Sequence, residues 1–396
     1  MLDSDGQSGL AIVRSLGRHG VDVTAGTDAP PSLGTRTRYS TRTYEHPDPE
    51  PDAERFLAHL ESYLARTDHD VVIPAVDATT ALLARAKPRL EATGTLVGTA
   101  DPKRFDAVFD KARLFRTLVD AGVPTPETYA PESLADIDDV AERVDYPAVV
   151  KPRSKTIWFE GRHTRHRVTD ANYVAGPAEL RSTYRALVAS HESLAASLPL
   201  VQEFVPGETV CANVLADGGD VVASFQERRV RTHPASGGNS ALLAALADDS
   251  LRTLGETVID AIDWTGPAMV ECMRRPDGSD VVIEVNGRYW GSLPFAIRSG
   301  VDVPWLHYQQ LLGESVVGPS SYRTDLLLRR LLFEDCKWLC EQLSRGQYGA
   351  LWPFLRDTVR ADHTFVDFDD PLPTVAALAR LPKLVGSLAL ERVRSR

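Results

Sequence analysis

The stretch VVIEVNGRYWGS, residues 281–292, sets Glu284, Asn286 and Arg288 two residues apart at the end of an apolar run. Alternation with period two puts these three on one face of an extended strand and Val281, Ile283 and Val285 on the other. Upstream, PAMVECMRR carries Glu271 in a second apolar run, and residues 276–280 read as the turn that joins the two runs in a hairpin. Two acids and an amide on one face of adjacent strands repel unless a cation lies between them. Oxygen donors in small number suit Mg²⁺, which keeps waters and takes its other oxygens from phosphates. Arg288, just beyond, is placed to meet charge developing on a transferring phosphoryl group. A polar strand edge facing solvent, the plain alternative, gives no reason for acid, amide and base in that order after so apolar a hairpin.

Other stretches supply complementary chemistry. DKARLFRTLVDAGVPTPETY opens with Asp110 and Lys111, runs as an amphipathic helix to Gly122, and leaves through Pro124 and Pro126. YPAVVKPRSK gives a buried strand, 148–150, with Lys151 at its end. Both lysines read as phosphate contacts, since a compact ammonium can track polyphosphate oxygens; each taken alone is more often a solvated surface residue. In LVQEFVPGETV a strand ends at Gln202, Glu203, Phe204 and Val205, turns at Pro206-Gly207, and resumes with Glu208. Extended backbone there offers N–H and C=O groups to a purine rim, and the acid a few residues on can hold ribose hydroxyls. SFQERRVRTHPASGGNS brings Arg228, Arg229, Arg231 and His233 beside Gly237, Gly238 and Asn239, which suits an anionic substrate or, more plainly, a solvated basic loop.

The elements that must hold these groups begin with a βαβ rhythm over the first hundred residues. LAIVRSLGRHG, DAERFLAHLESYLA and TTALLARAKPRL read as helices, and VDVTAG, DVVIPA and TLVG as strands, so a parallel sheet with helices on its faces is expected. Loops at the carboxyl ends of such strands take ligands, which makes Asp3, Asp5, Gly6, Ser8 and Asp77 either substrate contacts or ordinary turn residues. Only Met1 and Leu2 precede the first glycine-bearing turn, an arrangement expected of a stunted first strand or of a start assigned too late. Beyond about residue 317, TDLLLRRLLFEDCKWLCEQLSRG, ALWPFLRDTVRA and TVAALARLPKLVGSLALERVRSR read as helices, the last a basic amphipathic one that packs on the protein or touches a membrane surface.

Composition excludes several classes. The net charge of -11 and the absence of a dense Lys/Arg run argue against nucleic acid. Lysine is scarce, a balance that hints at a salt-adapted cytosol. Cys211, Cys272, Cys336 and Cys340 form neither a zinc spacing nor a disulfide framework, and Cys336 and Cys340 are expected to pack in a core. No apolar run reaches the roughly 18 residues of a membrane span, and no signal-peptide pattern opens the chain, so the expected compartment is the cytoplasm.

With Lys111, Lys151, QEFVPGE, Glu271 and E-V-N-G-R in this order, the chain resembles the ATP-grasp superfamily. In particular it is similar to stand-alone carboxylate-amine ligases related to the carbamoyl-phosphate synthase large subunit and biotin carboxylase, over roughly residues 3–312. The resemblance implies α/β plus α+β architecture. A parallel-sheet preATP-grasp domain would occupy 1–106, a two-subdomain ATP-grasp domain 107–316 with its small lid at about 145–205, and a helical region 317–396. It implies ATP, with Lys111 and Lys151 on the α and β phosphates, Gln202 and the Glu203–Val205 strand end at adenine, and Glu208 on the ribose. Glu271, Glu284 and Asn286 would bind one or two Mg²⁺ ions, with Mn²⁺ as a substitute. Arg288 would meet the carboxylate or acyl phosphate, assisted by Arg229 or Arg231 near the ASGGNS loop. Small-molecule carboxylate and amine substrates and a homodimer complete the expectation.

The sequence departs from this pattern after Lys151. Many relatives place a glycine-rich loop there, whereas RSKTIWFEGRHTRHRVTDANYV carries the single Gly161, so Arg162, Arg165 and His166 are expected to contact phosphate by side chain. Competing readings are a phosphorylating or carboxylating member of the same fold, and a nucleotide-binding regulatory or scaffold protein.

Overall fold

The computed structural model of the chain describes residues 1–159, 162–234 and 238–379, the side chains at 162, 163, 332 and 333 excepted. Gly161, the first half of the ASGGNS loop and most of the final basic stretch lie outside the described residues.

At the N-terminus, strand Thr24–Thr27 pairs in parallel with Arg42–Glu45, and Val71–Val72 with Leu96–Val97. Residues 1–4 stitch these ribbons together: Gly26 N donates to Met1 O at 2.7 Å and Leu2 N to Ile73 O at 2.9 Å. Helix Gln7–Arg18 starts immediately afterwards, so closely that a Cβ on Gly9 would sit 2.2 Å from Asp3 O. Only glycine permits that approach. Asp52 caps helix Ala53–Leu64 by accepting from Arg55 N, and Asp77 is the first residue of helix Asp77–Glu91. Phe56, Leu60, Leu64, Leu82, Leu83 and Leu90 close the core between these helices and the ribbons.

Two further sheets follow. The smaller has the strand order Thr128–Tyr129, Leu200–Glu203, Ala148–Lys151, Tyr173–Val174, so it begins upstream of residue 145. Helices Ile137–Arg143 and Pro177–Ala189 cover it through Ile137, Val140, Leu180 and Tyr184. The larger runs Asp280–Asn286, Gly266–Arg274, Glu208–Asp217, Asp220–His233, Asn239–Leu246, Leu327–Arg329, Asp362–His363. All its pairs are antiparallel except the last. One face packs on helix Asp249–Ala261, the other on the N-terminal helix and Leu293–Ser299.

The C-terminal region is thus not purely helical. Leu327–Arg329 hydrogen-bonds to the sheet edge offered by Asn239–Leu246 before helix Cys336–Ser344 begins. Residues 326–333 are apolar around an arginine pair, a short run whose periodicity suits strand and helix alike. Among the described residues no disulfide joins the four cysteines, and Cys340 is exposed on its helix, where core packing was expected. Among the described residues no helix is long and apolar enough to cross a membrane.

Candidate active site

Strands Gly266–Arg274 and Asp280–Asn286 form the expected hairpin, and Glu271 stands directly opposite Glu284. A register shift follows: Cys272 pairs with Val282, so Ile283 is an extra residue in its strand. Strict alternation therefore fails there, and Val282 joins Val285 in the core beside Val270 and Cys272. Glu284 and Asn286 keep their common face.

Each of these oxygens meets a cation delivered by a different element. Lys111 starts helix Lys111–Asp120, capped by the Asp110 carboxylate, and its Nζ lies 3.0 Å from Glu284 Oε1. Lys155, just past the lid strand, puts Nζ 2.7 Å from Glu284 Oε2 and 2.9 Å from Asn286 Oδ1. Arg229 donates to Glu271 Oε2 at 2.5 Å. Arg288 grips both oxygens of Asp77 at 2.7 and 3.0 Å and also donates to Asn286 Oδ1 at 3.2 Å. Burial pushes the Glu284 carboxyl up, but Lys155 and Lys111 overcome it and hold its pKa well below the usual carboxylate range. Burial depresses Arg229 and Arg288 while Glu271 and Asp77 respectively win, leaving both guanidiniums above their ordinary value.

On the lid side, Lys151 donates to Gln202 Oε1 at 2.7 Å, and Gln202 Nε2 donates to Thr128 Oγ1 at 2.8 Å. The buried Gln202 side chain thus aims Lys151 from the neighbouring strand, and burial lowers the lysine to about 8. Val205 is buried. Glu203 accepts from Glu127 N at 3.2 Å, and Glu208 lies on the surface 3.6 Å from Arg228. Backbone ties fix the corner between lid and helix: Lys111 N donates to Arg153 O at 2.9 Å and Ser154 Oγ to Phe109 O at 2.7 Å.

Several expected residues go elsewhere. A register shift after Arg229 carries Arg231 away from Glu271 and into the C-terminal region, where it pairs with Asp335 at 3.0 Å and Asp357 at 2.8 Å. All of its strong donors are committed there, so the structure does not bring it to the acid hairpin. Arg165 lies 3.6 Å from Glu50, and His166 shares a 2.9 Å hydrogen bond with Ser193 Oγ, so neither joins the cluster. Asp3 accepts from Ala75 N and Thr79 Oγ1 as a brace of the N-terminal sheet, while Ser8 donates to Trp290 O at 2.9 Å.

Three residues escaped sequence reasoning. Lys155 lies where a glycine-rich loop was missing, and that lack was the available signal. Glu227 is on the same register row as Cys211, Glu271 and Glu284, wholly buried; it accepts from Ser292 Oγ at 2.5 Å, and burial raises it to about 7. Arg330, lowered by burial, reaches the Ser240 carbonyl at 3.4 Å. Nothing in their local sequence marks either as buried.

The donor set fits a hard divalent ion: opposed carboxylates and an amide, all oxygen. Among the described residues no group of three or more His, Cys, Asp or Glu is disposed to hold a metal unaided. Phosphate oxygens would have to complete such a shell. A cleft of 410 Å³, part of it open to solvent, adjoins the cluster and is lined by Asp77, Phe109, Lys111, Lys155, Glu284 and Arg288 among others.

Residues 108–292 match the family model of the ATP-grasp domain. The carbamoyl phosphate synthase large chain of Thermomicrobium roseum is 26% identical over 404 residues, covering 97% of this chain. The chain spans only 26% and 34% of the lengths of the first two such relatives. The fold is similar to a biotin carboxylase–β,γ-ATP complex from Campylobacter jejuni, with TM-score 0.65 and 14% identity over 82% of this chain and 73% of that one. It is also similar to an L-amino acid ligase from Bacillus licheniformis, with TM-score 0.56 and 19% identity over 78% and 72%. These likenesses, with the acid hairpin and its lysines inside the matched residues, mark residues 108–292 as an ATP-grasp domain.

Proposed function

We propose that the protein is a Mg-ATP-dependent ligase that activates a carboxylate as an acyl phosphate and joins it to an amine. A carboxylate oxygen attacks the γ-phosphorus of ATP and ADP leaves; the amine nitrogen then attacks the acyl carbon, phosphate leaves, and the nitrogen gives up its proton. No nucleophilic side chain is required, so the work is positioning and charge compensation. Lys111 and Lys151 hold the phosphate chain, and Gln202 orients Lys151. The Glu203–Val205 strand end and Glu208 take adenine and ribose. Glu271, Glu284 and Asn286 would hold Mg²⁺, or Mn²⁺ in its place, which would supply positive charge to offset that of the transferring phosphoryl group. Arg288, fixed by Asp77, faces the carboxylate or acyl phosphate, and Arg229 pairs with Glu271.

The observation that carries this reading is the direct opposition of Glu271 and Glu284 with Lys111 converging on the second acid. An amine acceptor is compatible with the fold, which an L-amino acid ligase shares. The substrates would be small molecules, the compartment the cytoplasm, and the assembly a homodimer. Glu284→Gln tests the proposal against a non-catalytic scaffold: metal-dependent ADP release should be lost, and retention of near-native ADP release would refute it.

A further inference from the structure

Lys155 occupies the place where a divalent cation would bind. Its Nζ is within hydrogen-bonding distance of Glu284 Oε2 and Asn286 Oδ1, two of the three oxygen-bearing side chains of the metal set. A metal ion held at this site would draw on the same two oxygens. Ammonium and metal ion therefore compete for them.

Lys155 is built to leave. Its backbone is held, since Lys155 O accepts from His166 N at 2.8 Å and the adjacent Ser154 is tied to Phe109 O. Its side chain keeps 40% exposure, against 12% for Lys111, which holds the other oxygen of Glu284. A four-carbon stem with three rotatable donors can swing where a planar guanidinium could not.

Charge gives the direction. Lys111, Lys151, Lys155, Arg229 and Arg288 surround the carboxylates Asp77, Glu271 and Glu284, an excess of positive charge before any metal arrives. A bare divalent ion adds to that excess, whereas a polyphosphate anion relieves it.

We propose that Lys155 is a resident counter-cation of the metal position, which it holds in the nucleotide-free protein and exchanges for the phosphate chain when metal and nucleotide enter together. It thereby supplies by one side chain what a run of loop backbone N–H groups would otherwise supply, and it disfavours binding of metal alone. The inference rests on the reading of the cleft as a metal–nucleotide site.

The test uses the full chain and two probes: Mn²⁺ alone, followed by electron paramagnetic resonance, and ADP with chelator present, followed by calorimetry. In Lys155→Met, Mn²⁺ alone should bind about tenfold more tightly and metal-free ADP about tenfold more weakly. Lys155→Arg, which keeps the charge, should leave Mn²⁺ binding as weak as in the native chain. A merely structural lysine would not move the two affinities in opposite directions. Unchanged or weaker Mn²⁺ binding in Lys155→Met, or unchanged ADP binding, would overturn the proposal. Failure of the native chain to bind Mg-ADP at all would overturn the nucleotide reading beneath it.

Discussion

Arg288 and Asp77, 211 residues apart in the chain, form a two-pronged ion pair at 2.7 and 3.0 Å. One belongs to the end of the acid hairpin and the other to the first turn of an N-terminal helix, so the pair ties the N-terminal sheet to the hairpin strand that carries Glu284. The bidentate geometry fixes the guanidinium plane as well as its position.

Asp77→Ala should therefore act on both stability and turnover. The side chains are only partly buried, so the expected loss is about 1–3 kcal/mol, read as a lower thermal midpoint. Arg288 retains Asn286 and Tyr289 O as partners but loses its orientation, and kcat should fall more than nucleotide affinity. An unchanged kcat would show that Arg288 needs no help from the N-terminal domain.

Lys151 gives a pH signature. Its pKa is lowered by burial to about 8 in the nucleotide-free chain, so it is charged below that pH and increasingly neutral above it. Polyphosphate favours the charged form. Binding should then take up a proton above about pH 8 and none near pH 6.5, with apparent affinity falling as pH rises. Calorimetry of ADP binding in buffers of different ionisation enthalpy measures this directly. Lys151→Met should abolish the uptake, and uptake that is absent in the native chain would contradict the assignment.

Arg231 should prove structural. Replacing it with Ala leaves the buried Asp357 with Arg356 alone and Asp335 with Arg329 alone. The expected cost is about 1–3 kcal/mol of stability, since each carboxylate keeps one arginine. Nucleotide affinity, measured on the folded fraction, should stay within about twofold of native. A large loss of affinity with unchanged melting would return Arg231 to the site.

What was legible in the sequence was local. The acid hairpin announced itself because a turn signal joined two apolar runs and the acids shared a period of two. Lys111 and Lys151 were found because each sits at an element boundary marked by a cap or by proline. The Ile283 bulge was hidden, since an extra residue changes register without changing composition. Arg231 was misplaced for the same reason, an irregularity in the ladder after Arg229. Lys155, Glu227 and Arg330 draw their meaning from strands and loops far away in sequence. Pairing of Leu327–Arg329 with the main sheet is likewise a tertiary choice that an ambiguous apolar run does not determine.

The most direct test of the central claim is ADP release from Mg-ATP, measured in high KCl against a panel of amino acids and small carboxylates, each with and without hydroxylamine. The ligase reading predicts that at least one carboxylate stimulates ADP release and that hydroxylamine converts it to a hydroxamate, the trapped form of an acyl phosphate. Carboxylate-stimulated ADP release that never yields a hydroxamate, or an amide in the amine's presence, would contradict it.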